Sequence, residues 1–320
     1  MSDDGKASAS LAILQIRARM RKRIRAFFDA QAVMEVETPI LARTGVTDPH
    51  IDSLQSHWSD YSGPVYLQTS PEYAMKRLLA AGSGPIYQLS RVFRYGERGR
   101  QHHPEFTMLE WYRPGYDHHR LMLELDDLVS KCLSEHIQLE QSVFWSYREA
   151  WQQTIGIDPL LSDVQALKDF VKQQGIDVSG LDDDKDEWLQ LIMTHCVEPA
   201  LAKDTPIYIY DFPASQAALA KIRDDDPPVA ERFELYINGM ELANGFHELT
   251  DADEQRRRFE ADNVKRQAMG KDVIPVDEKL LSALPAMPEC AGVAVGVDRL
   301  VMVAVGASCI DEVLSFVVDE

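Results

Sequence analysis

The chain has 320 residues, of which 45% are hydrophobic, and it carries a formal net charge of −19. This hydrophobic content is enough for a buried core and excludes a mainly disordered protein. The negative charge argues against a dedicated tRNA- or DNA-binding protein, because phosphate neutralisation by basic side chains supplies much of the affinity for nucleic acids.

No apolar run reaches transmembrane length, and the first residues lack the apolar core of a signal peptide. The cysteines are too widely spaced along the chain to form zinc-ligand pairs. We therefore expect a cytoplasmic protein without membrane contact, whose cysteines are reduced and buried. These cysteines are Cys132, Cys196, Cys290 and Cys309.

The N-terminal part predicts a short tail, a helix and a strand. Residues 1–9 are small and polar, and we expect them to be flexible. An apolar stripe at helical spacing, including Ile13, Met20 and Phe27, predicts a helix. The basic residues between them are expected on a solvated face, with nucleic-acid or lipid binding as the alternative. Residues 33–41 alternate and predict a strand that ends near a proline.

The later segments alternate between strand and helix patterns. Asn238-Gly239 lies between two strand patterns and predicts a hairpin turn. The many antiparallel strand signals among helices predict an α+β fold, an antiparallel sheet flanked by helices, in one domain over residues 10–320. Strands are predicted at residues 64–69, 85–95, 104–113, 207–210, 232–243 and 292–297, and helices after Asp117, near 163–174 and 186–202, at 251–269 and after 297.

A basic loop lies between two predicted strands at residues 91–103, where four arginines and two histidines surround glycines. Guanidinium groups suit phosphate oxygens, because their planar donors match two oxygens at once. The loop therefore indicates a phosphate site, and a basic surface loop without a ligand is the alternative.

Glu110 and Tyr112 share one face of the next strand, since strand side chains repeat every second residue. The strand is otherwise apolar, and a buried carboxylate needs a cation. That cation is either an internal arginine or lysine, or the ammonium group of a ligand.

Glu234 and Glu241 stand on either side of the predicted hairpin turn, so that their side chains can converge. Carboxylate oxygens are ligands that Mg²⁺ prefers; a solvated acidic surface is the alternative. Near the C-terminus, Arg299 follows a glycine-containing strand at the start of a helix, where the helix dipole favours anions. We expect Asp298 to cap this helix.

Together these segments resemble the signature motifs of class II aminoacyl-tRNA synthetases. Val36-Glu37-Thr38-Pro39 resembles the end of motif 1, residues 93–110 resemble motif 2, and Gly296-Val297-Asp298-Arg299 resembles motif 3. The runs HPEFTMLEWY and ELANGFHEL are similar to the lysyl branch. Lysyl-tRNA synthetases place an anticodon-binding domain before motif 1, whereas about 30 residues precede it here, too few for an independent domain. The resemblance is therefore to the truncated lysyl-synthetase paralogues that modify elongation factor P, and it predicts no anticodon-binding domain.

The resemblance implies ATP and Mg²⁺ as cofactors, a lysine-like amino acid activated as its adenylate, and elongation factor P as the protein substrate. Arg94 and Arg299 would be catalytic and hold phosphates of ATP, and Glu234 and Glu241 would hold Mg²⁺. The residues expected to bind ATP are Arg94, Glu97, His102, His103, Glu241, Leu242, Gly296 and Arg299. The residues expected to bind the amino acid are Ser70, Glu72, Glu110, Tyr112, Asn244, Glu248 and Ala294.

Some positions depart from the lysyl-synthetase pattern. Ser70 stands where an alanine is common and Ala294 where a glycine is common, and a methyl-sized change shifts discrimination by about 1–3 kcal/mol. We interpret both as a pocket reshaped for a β-amino acid. In motif 2, Gly96 occupies the usual acid position with Glu97 after it, and His103 replaces an asparagine.

Two other functions are compatible with these motifs: a free-standing enzyme that loads a tRNA, and a degenerate synthetase that acts as a regulatory binder. The missing anticodon domain and the acidic charge predict no stable tRNA binding. Class II cores usually dimerise through motif 1, so the resemblance also implies a homodimer joined near residues 10–45.

Overall fold

The computed structural model describes residues 7–60 and 62–317. The chain divides into a first unit, Met1–Ile137 with Glu248–Glu320, and a second unit, Gln138–His247. Of the segment expected to be flexible, residues 1–6 lie outside the described residues, while the amides of Ser8 and Ala9 donate to the carbonyls of Ser315 and Leu314 over 2.9 Å. The single domain expected over residues 10–320 stays a prediction.

The described helices begin mostly at side chains that accept a hydrogen bond from the first turn, as N-cap residues do. Asp117 Oδ1 accepts from the amide of Arg120 over 2.8 Å, which confirms the expected cap. The helices are α1 Leu11–Asp29, α2 Glu72–Ala80, α3 His118–Leu133, α4 Tyr147–Ile155, α5 Val164–Gln173, α6 Lys185–Ile192, α7 Glu198–Ala200, α8 Ala252–Ala268, α9 Glu278–Ala283 and α10 Val297–Val305. None of them is both long and apolar enough to span a membrane.

The strands confirm most of the predicted ones, although the strand expected over residues 33–41 is reduced to short pieces on either side of Pro39. Proline lacks the amide proton that a continuous ladder needs. The strands are β1 Met34–Glu35, β2 Leu41–Ala42, β3 Gln55–Ser56, β4 Val65–Leu67, β5 Ile86–Phe93, β6 Glu105–Pro114, β7 Val143–Ser146, β8 Ile207–Pro213, β9 Ile222–Arg223, β10 Val229–Ile237, β11 Met240–His247 and β12 Cys290–Gly296.

In the first unit, four strands lie in the order β1–β5–β6–β12, and β2, β4 and β3 form a separate small sheet. The pairs β5–β6 and β6–β12 are antiparallel, and β1 runs parallel to β5. One sheet face packs on α1, where Phe28 stacks on Tyr87 at 4.4 Å between ring centroids and meets Trp111 edge-on. Side chains alternate along a strand, so Glu110 and Tyr112 belong to the opposite face.

In the second unit, the strands lie in the order β11–β10–β8–β7, with β9 beside β10. The β10–β11 hairpin turns at Asn238 and Gly239, whose φ angles of 55° and 69° are both positive. Two-residue hairpin turns of type I′ require this, and the predicted turn is confirmed. The core of this unit includes Trp151, Leu189 and Ile209, all buried. Antiparallel pairs dominate both units, which confirms the α+β class.

The expectation that Asp298 caps the last helix is wrong. The helix α10 has Gly296 at its N-cap, and Asp298 is buried inside the first turn. Its Oδ1 accepts from Arg17 Nη1 of α1 over 2.5 Å, and its Oδ2 accepts from the amide of Thr107 over 2.6 Å. Arg17, which the sequence placed on a solvated face, is therefore buried as the counter-ion of this carboxylate.

Replacing Arg17 by methionine should lower the free energy of unfolding by about 3–5 kcal/mol, because a buried carboxylate loses its cation. Urea unfolding followed by circular dichroism measures the change. Lys131→Met, which removes an exposed cation of α3 paired with Asp127, is the matched control and should change stability by about 0.5 kcal/mol. Equal losses in the two variants would contradict this assignment of Arg17.

Candidate active site

A cluster of buried polar groups lies on the open face of β6. The hydroxyl of Tyr112 donates to Glu110 Oε1 over 2.7 Å, which confirms that the two side chains point the same way. In the β6–β12 ladder, Ala294 is opposite Glu110 and Gly292 is opposite Tyr112. Directly opposite residues share a sheet face, so the expected substrate residue Ala294 lies beside Glu110.

Ser70 connects this strand to the start of α2. Its Oγ donates to Glu110 Oε2 over 2.7 Å and accepts from the amide of Glu72 over 3.0 Å. A cavity of about 470 Å³ borders the cluster and is lined by Ser70, Glu72 and Leu67, among others. The serine found in place of the alanine common in lysyl-tRNA synthetases thus holds the carboxylate of Glu110 in place.

Lys76 is an internal cation that the sequence reasoning missed. Its Nζ lies 2.7 Å from Glu72 Oε1 and 2.6 Å from Glu248 Oε2, and the side chains of Lys76 and Glu248 are each only 1% exposed. Burial lowers the pKa of Lys76, but Glu248 and Glu72 raise it above its ordinary value. The lysine is therefore charged, and it joins acids from two distant parts of the sequence.

Glu110 has no such cation. Within the described part of the chain its carboxylate forms no ion pair, and both oxygens accept only hydroxyl hydrogen bonds. Burial, followed by the negative charge of Glu72, raises the pKa of Glu110 from 4.5 to about 8, against the hydrogen bonds from Tyr112 and Ser70. The side chain is therefore a buried acid that an entering cation would ionise.

Two further residues complete the cluster. A side-chain carbon at Gly292 would lie 2.5 Å from Glu248 Oε1 and from Cδ1 of Tyr112, so only glycine fits there without displacing both groups. Gln88 of β5 is opposite Glu110 and buried, and no described residue donates to its Oε1. A buried acceptor without a donor is available to a ligand. The sequence offered no signal for Gln88, because its neighbours across the sheet come from other strands.

The loop between β5 and β6 brings the motif 2 and motif 3 cations together. Arg299 Nη2 lies 2.6 Å from His102 Nε2, and Arg299 Nε donates to the carbonyl of Gln101 over 3.2 Å. Burial lowers the pKa of His102, and the charges of Arg299 and Arg94 lower it further. The imidazole is therefore neutral near pH 7, and both arginines lie close to it.

The other residues expected at the nucleotide surround this loop. The guanidinium of Arg94 lies 5.2 Å from the ring centre of Phe106 and 3.6 Å from a carboxylate oxygen of Glu97. His103 is buried, and its Nδ1 lies 2.7 Å from the carbonyl oxygen of Glu105. Gly296 is the N-cap of α10, and the nearest atoms to a carbon built on it belong to Arg299.

In the second unit, Glu234 is directly opposite Asn244, whereas Glu241 is opposite Tyr236 across a bulge. Glu234 accepts from Arg232, from Asn244 Nδ2 over 3.2 Å and from the hydroxyl of Tyr236. Burial lowers the pKa of Arg232, but Glu234 and then Glu241 raise it above its ordinary value. The charges of both carboxylates thus act on Arg232, and carboxylate oxygens are the kind of ligand that Mg²⁺ prefers. Leu242, expected at the nucleotide, is buried in β11.

The fold and this site define a class II aminoacyl-tRNA synthetase core. The family model described as "tRNA synthetases class II (D, K and N)" matches residues 4–320, and the chain belongs to that family. It is 50% identical over 321 residues to proteins named elongation factor P–(R)-β-lysine ligase from Salmonella gallinarum, Edwardsiella ictaluri and Pectobacterium atrosepticum. Each alignment covers 98% of this chain and 97% of the relative. The resemblance to the class II synthetases is confirmed.

The raised pKa of Glu110 predicts a pH-dependent stability. From pH 4.5 to about 8 the folded protein holds a proton on Glu110 that the unfolded chain releases, so the free energy of unfolding falls as the pH rises through this window. Glu110→Gln keeps the shape but cannot ionise, and the stability of the wild type relative to this variant should fall between pH 5 and pH 8. Urea titrations at four pH values measure the difference. Parallel profiles for the two proteins would contradict the prediction.

Proposed function

We propose that the chain is an ATP-dependent ligase that activates (R)-β-lysine, or lysine, as its adenylate and transfers it to the ε-amine of a lysine on elongation factor P. The observation that carries the proposal is the cluster of Glu72 with the buried Glu110 and Glu248, in a chain 50% identical to ligases of that name. The proposed protein substrate belongs to translation, which places the activity in the cytoplasm.

The acid cluster would recognise the amino groups of the substrate. Glu110 and Tyr112 would receive the distal ammonium, and Glu72 and Glu248 would complete the acidic surroundings. Asn244 would lie near the substrate carboxylate. Ser70 donates to Glu110 and Ala294 is opposite it, so both departures from the lysyl-synthetase pattern adjoin the cluster. This supports the proposal that they adapt the site to a β-amino acid.

Arg94, Arg299 and the neutral His102 would bind the triphosphate of ATP, with Glu97, His103, Glu241, Leu242 and Gly296 around the nucleotide. A substrate carboxylate oxygen attacks the α-phosphorus, a new O–P bond forms, and the bond to pyrophosphate breaks. The guanidinium groups offset the charge that develops on the phosphate oxygens, and positioning supplies the rest of the rate. No protein nucleophile takes part.

Glu234 and Glu241 would hold Mg²⁺, which supplies positive charge to the phosphate oxygens when bound. The second step needs a lysine amine that arrives neutral. Its nitrogen attacks the carbonyl carbon of the adenylate, the amide bond forms, and the bond to AMP breaks with loss of one proton from the amine.

Labelled (R)-β-lysine with ATP should modify purified elongation factor P and leave total tRNA unlabelled. ATP–pyrophosphate exchange with α-lysine and both β-lysine enantiomers measures activation, and gel autoradiography measures transfer. Label on tRNA would contradict the protein-ligase proposal, and absence of exchange with every lysine analogue would favour a regulatory binder.

Arg94→Ala and Arg299→Ala should each lower kcat by about 10²–10³, while Arg120→Ala, an exposed change on α3, is the matched control.

We also propose a homodimer joined near residues 10–45. Met34 and Ile40 of this segment are 49% and 44% exposed, and exposed apolar groups in one segment favour association. Light scattering at micromolar concentration should give twice the chain mass, and Met34→Lys with Ile40→Lys should shift the protein toward the monomer. Leu123→Lys, which changes an exposed leucine of α3, should leave the mass unchanged. A monomeric wild type would contradict the proposal.

A further inference from the structure

The ion pairs of Lys76 divide the acid cluster into two kinds of carboxylate. Glu72 and Glu248 each contact the ammonium of Lys76, at 2.7 and 2.6 Å. Glu110 is held by the hydroxyls of Ser70 and Tyr112, and no residue that the structure describes forms an ion pair with it. Of the three acids, Glu110 is therefore the one that hydroxyl groups rather than an ammonium hold before any ligand enters.

Burying the ammonium group of Lys76 carries a desolvation cost, which indicates that its charge has a function in the site. A buried ion pair is weak evidence for stability, because replacing such a pair with well-packed apolar groups is often neutral or stabilising. Lys76 joins Glu72 of its own helix, α2, to Glu248 of the segment after β11, beside Glu110 of β6. Its ammonium fixes the distance between the carboxylates of Glu72 and Glu248, and Gly292 leaves room for Glu248 beside the ring of Tyr112.

The formal charge of the cluster matches a dibasic substrate. Three ionised carboxylates and one ammonium leave two negative charges, which equals the two ammonium groups of a lysine-like amino acid. Without Lys76 the cluster would hold three carboxylates for two ammonium groups. Close carboxylates that lack a cation raise each other's pKa, so one more of them would stay protonated near neutral pH.

We propose that Lys76 is a positioning residue of the amino-acid site, which holds the carboxylates of Glu72 and Glu248 through its ion pairs and leaves Glu110 as the acid that the entering ammonium meets. This inference rests on the proposed function for its choice of ligand. The ionisable groups that face Glu110 are Glu72, Glu248 and the phenol of Tyr112, and Gln88 adds an uncharged acceptor.

Isothermal titration of lysine and of (R)-β-lysine into the full-length protein from pH 6 to pH 9 tests the proposal without requiring catalysis. Lys76→Gln keeps a hydrogen-bond donor but removes the charge. Its Kd at pH 7 should rise by at least about tenfold, and the pH at which binding reaches its plateau should move up by about one unit, since one unit of pKa is a tenfold change. The Kd for ATP should not change.

Two comparisons separate this role from a structural one. Lys76→Arg keeps the charge and should retain the pH profile of the wild type with a weaker Kd. Lys172→Gln, an exposed change in α5, should match the wild type in both. A Lys76→Gln protein that binds with the Kd and pH profile of the wild type would overturn the proposal.

A measurement on the wild type alone covers the case in which Lys76→Gln does not fold. Titration in two buffers of different ionisation enthalpy counts the protons released on binding. At pH 7 the proposal expects release of about one proton, from Glu110. Release of none or of two would overturn it, as would a wild type that binds no dibasic amino acid. Binding without ATP–pyrophosphate exchange would instead contradict only the proposed ligase function.

Discussion

A carboxylate that becomes buried on folding must form an ion pair with a cation or be protonated, and this constraint applies in both units of the chain. Asp298 meets Arg17, Glu248 meets Lys76, and Glu234 meets Arg232. Each pair joins side chains whose ionised forms would be unfavourable alone. In the first unit these pairs also connect distant segments, since Arg17 and Asp298 are 281 positions apart. Glu110 forms no ion pair with a described residue, and its pKa is raised instead. Its carboxyl group is therefore where an entering cation would bind.

The fold was largely predictable because its signals are local. The alternation of β6, the cap at Asp117 and the Asn238-Gly239 turn each depend on a few adjacent residues, and the structure confirms all of them. The strand over residues 33–41 was overestimated, because alternation does not reveal how far a strand stays paired: only Met34 and Glu35 pair with β5.

The partners inside the site were harder to predict, because each depends on residues far apart in the sequence. The possibility of an internal cation beside the buried acids was stated, but nothing local distinguished Lys76 from the exposed lysines of other helices. The same is true of Arg17, which lies among basic residues of α1 that face solvent. Asp298 was expected to cap α10 because it stands at the helix start, yet a buried arginine competes more strongly for its carboxylate than the exposed amides of the first turn do. Gln88 was missed because only the β5–β6 register brings it opposite Glu110.

Within the first unit, the charged residues of the candidate site form one cationic group and one acidic group. Arg94 and Arg299 both act on His102, whereas Glu72, Glu110 and Glu248 outnumber the single cation Lys76. A site for a triphosphate needs the first arrangement, and a site for a dibasic amino acid needs the second. Neither reactant could exchange places with the other without placing like charges together in a partly buried site, where repulsion is less screened than in water. Under the proposed function, the distribution of charge, rather than the acidic net charge of the whole chain, would determine which reactant each part of the site accepts.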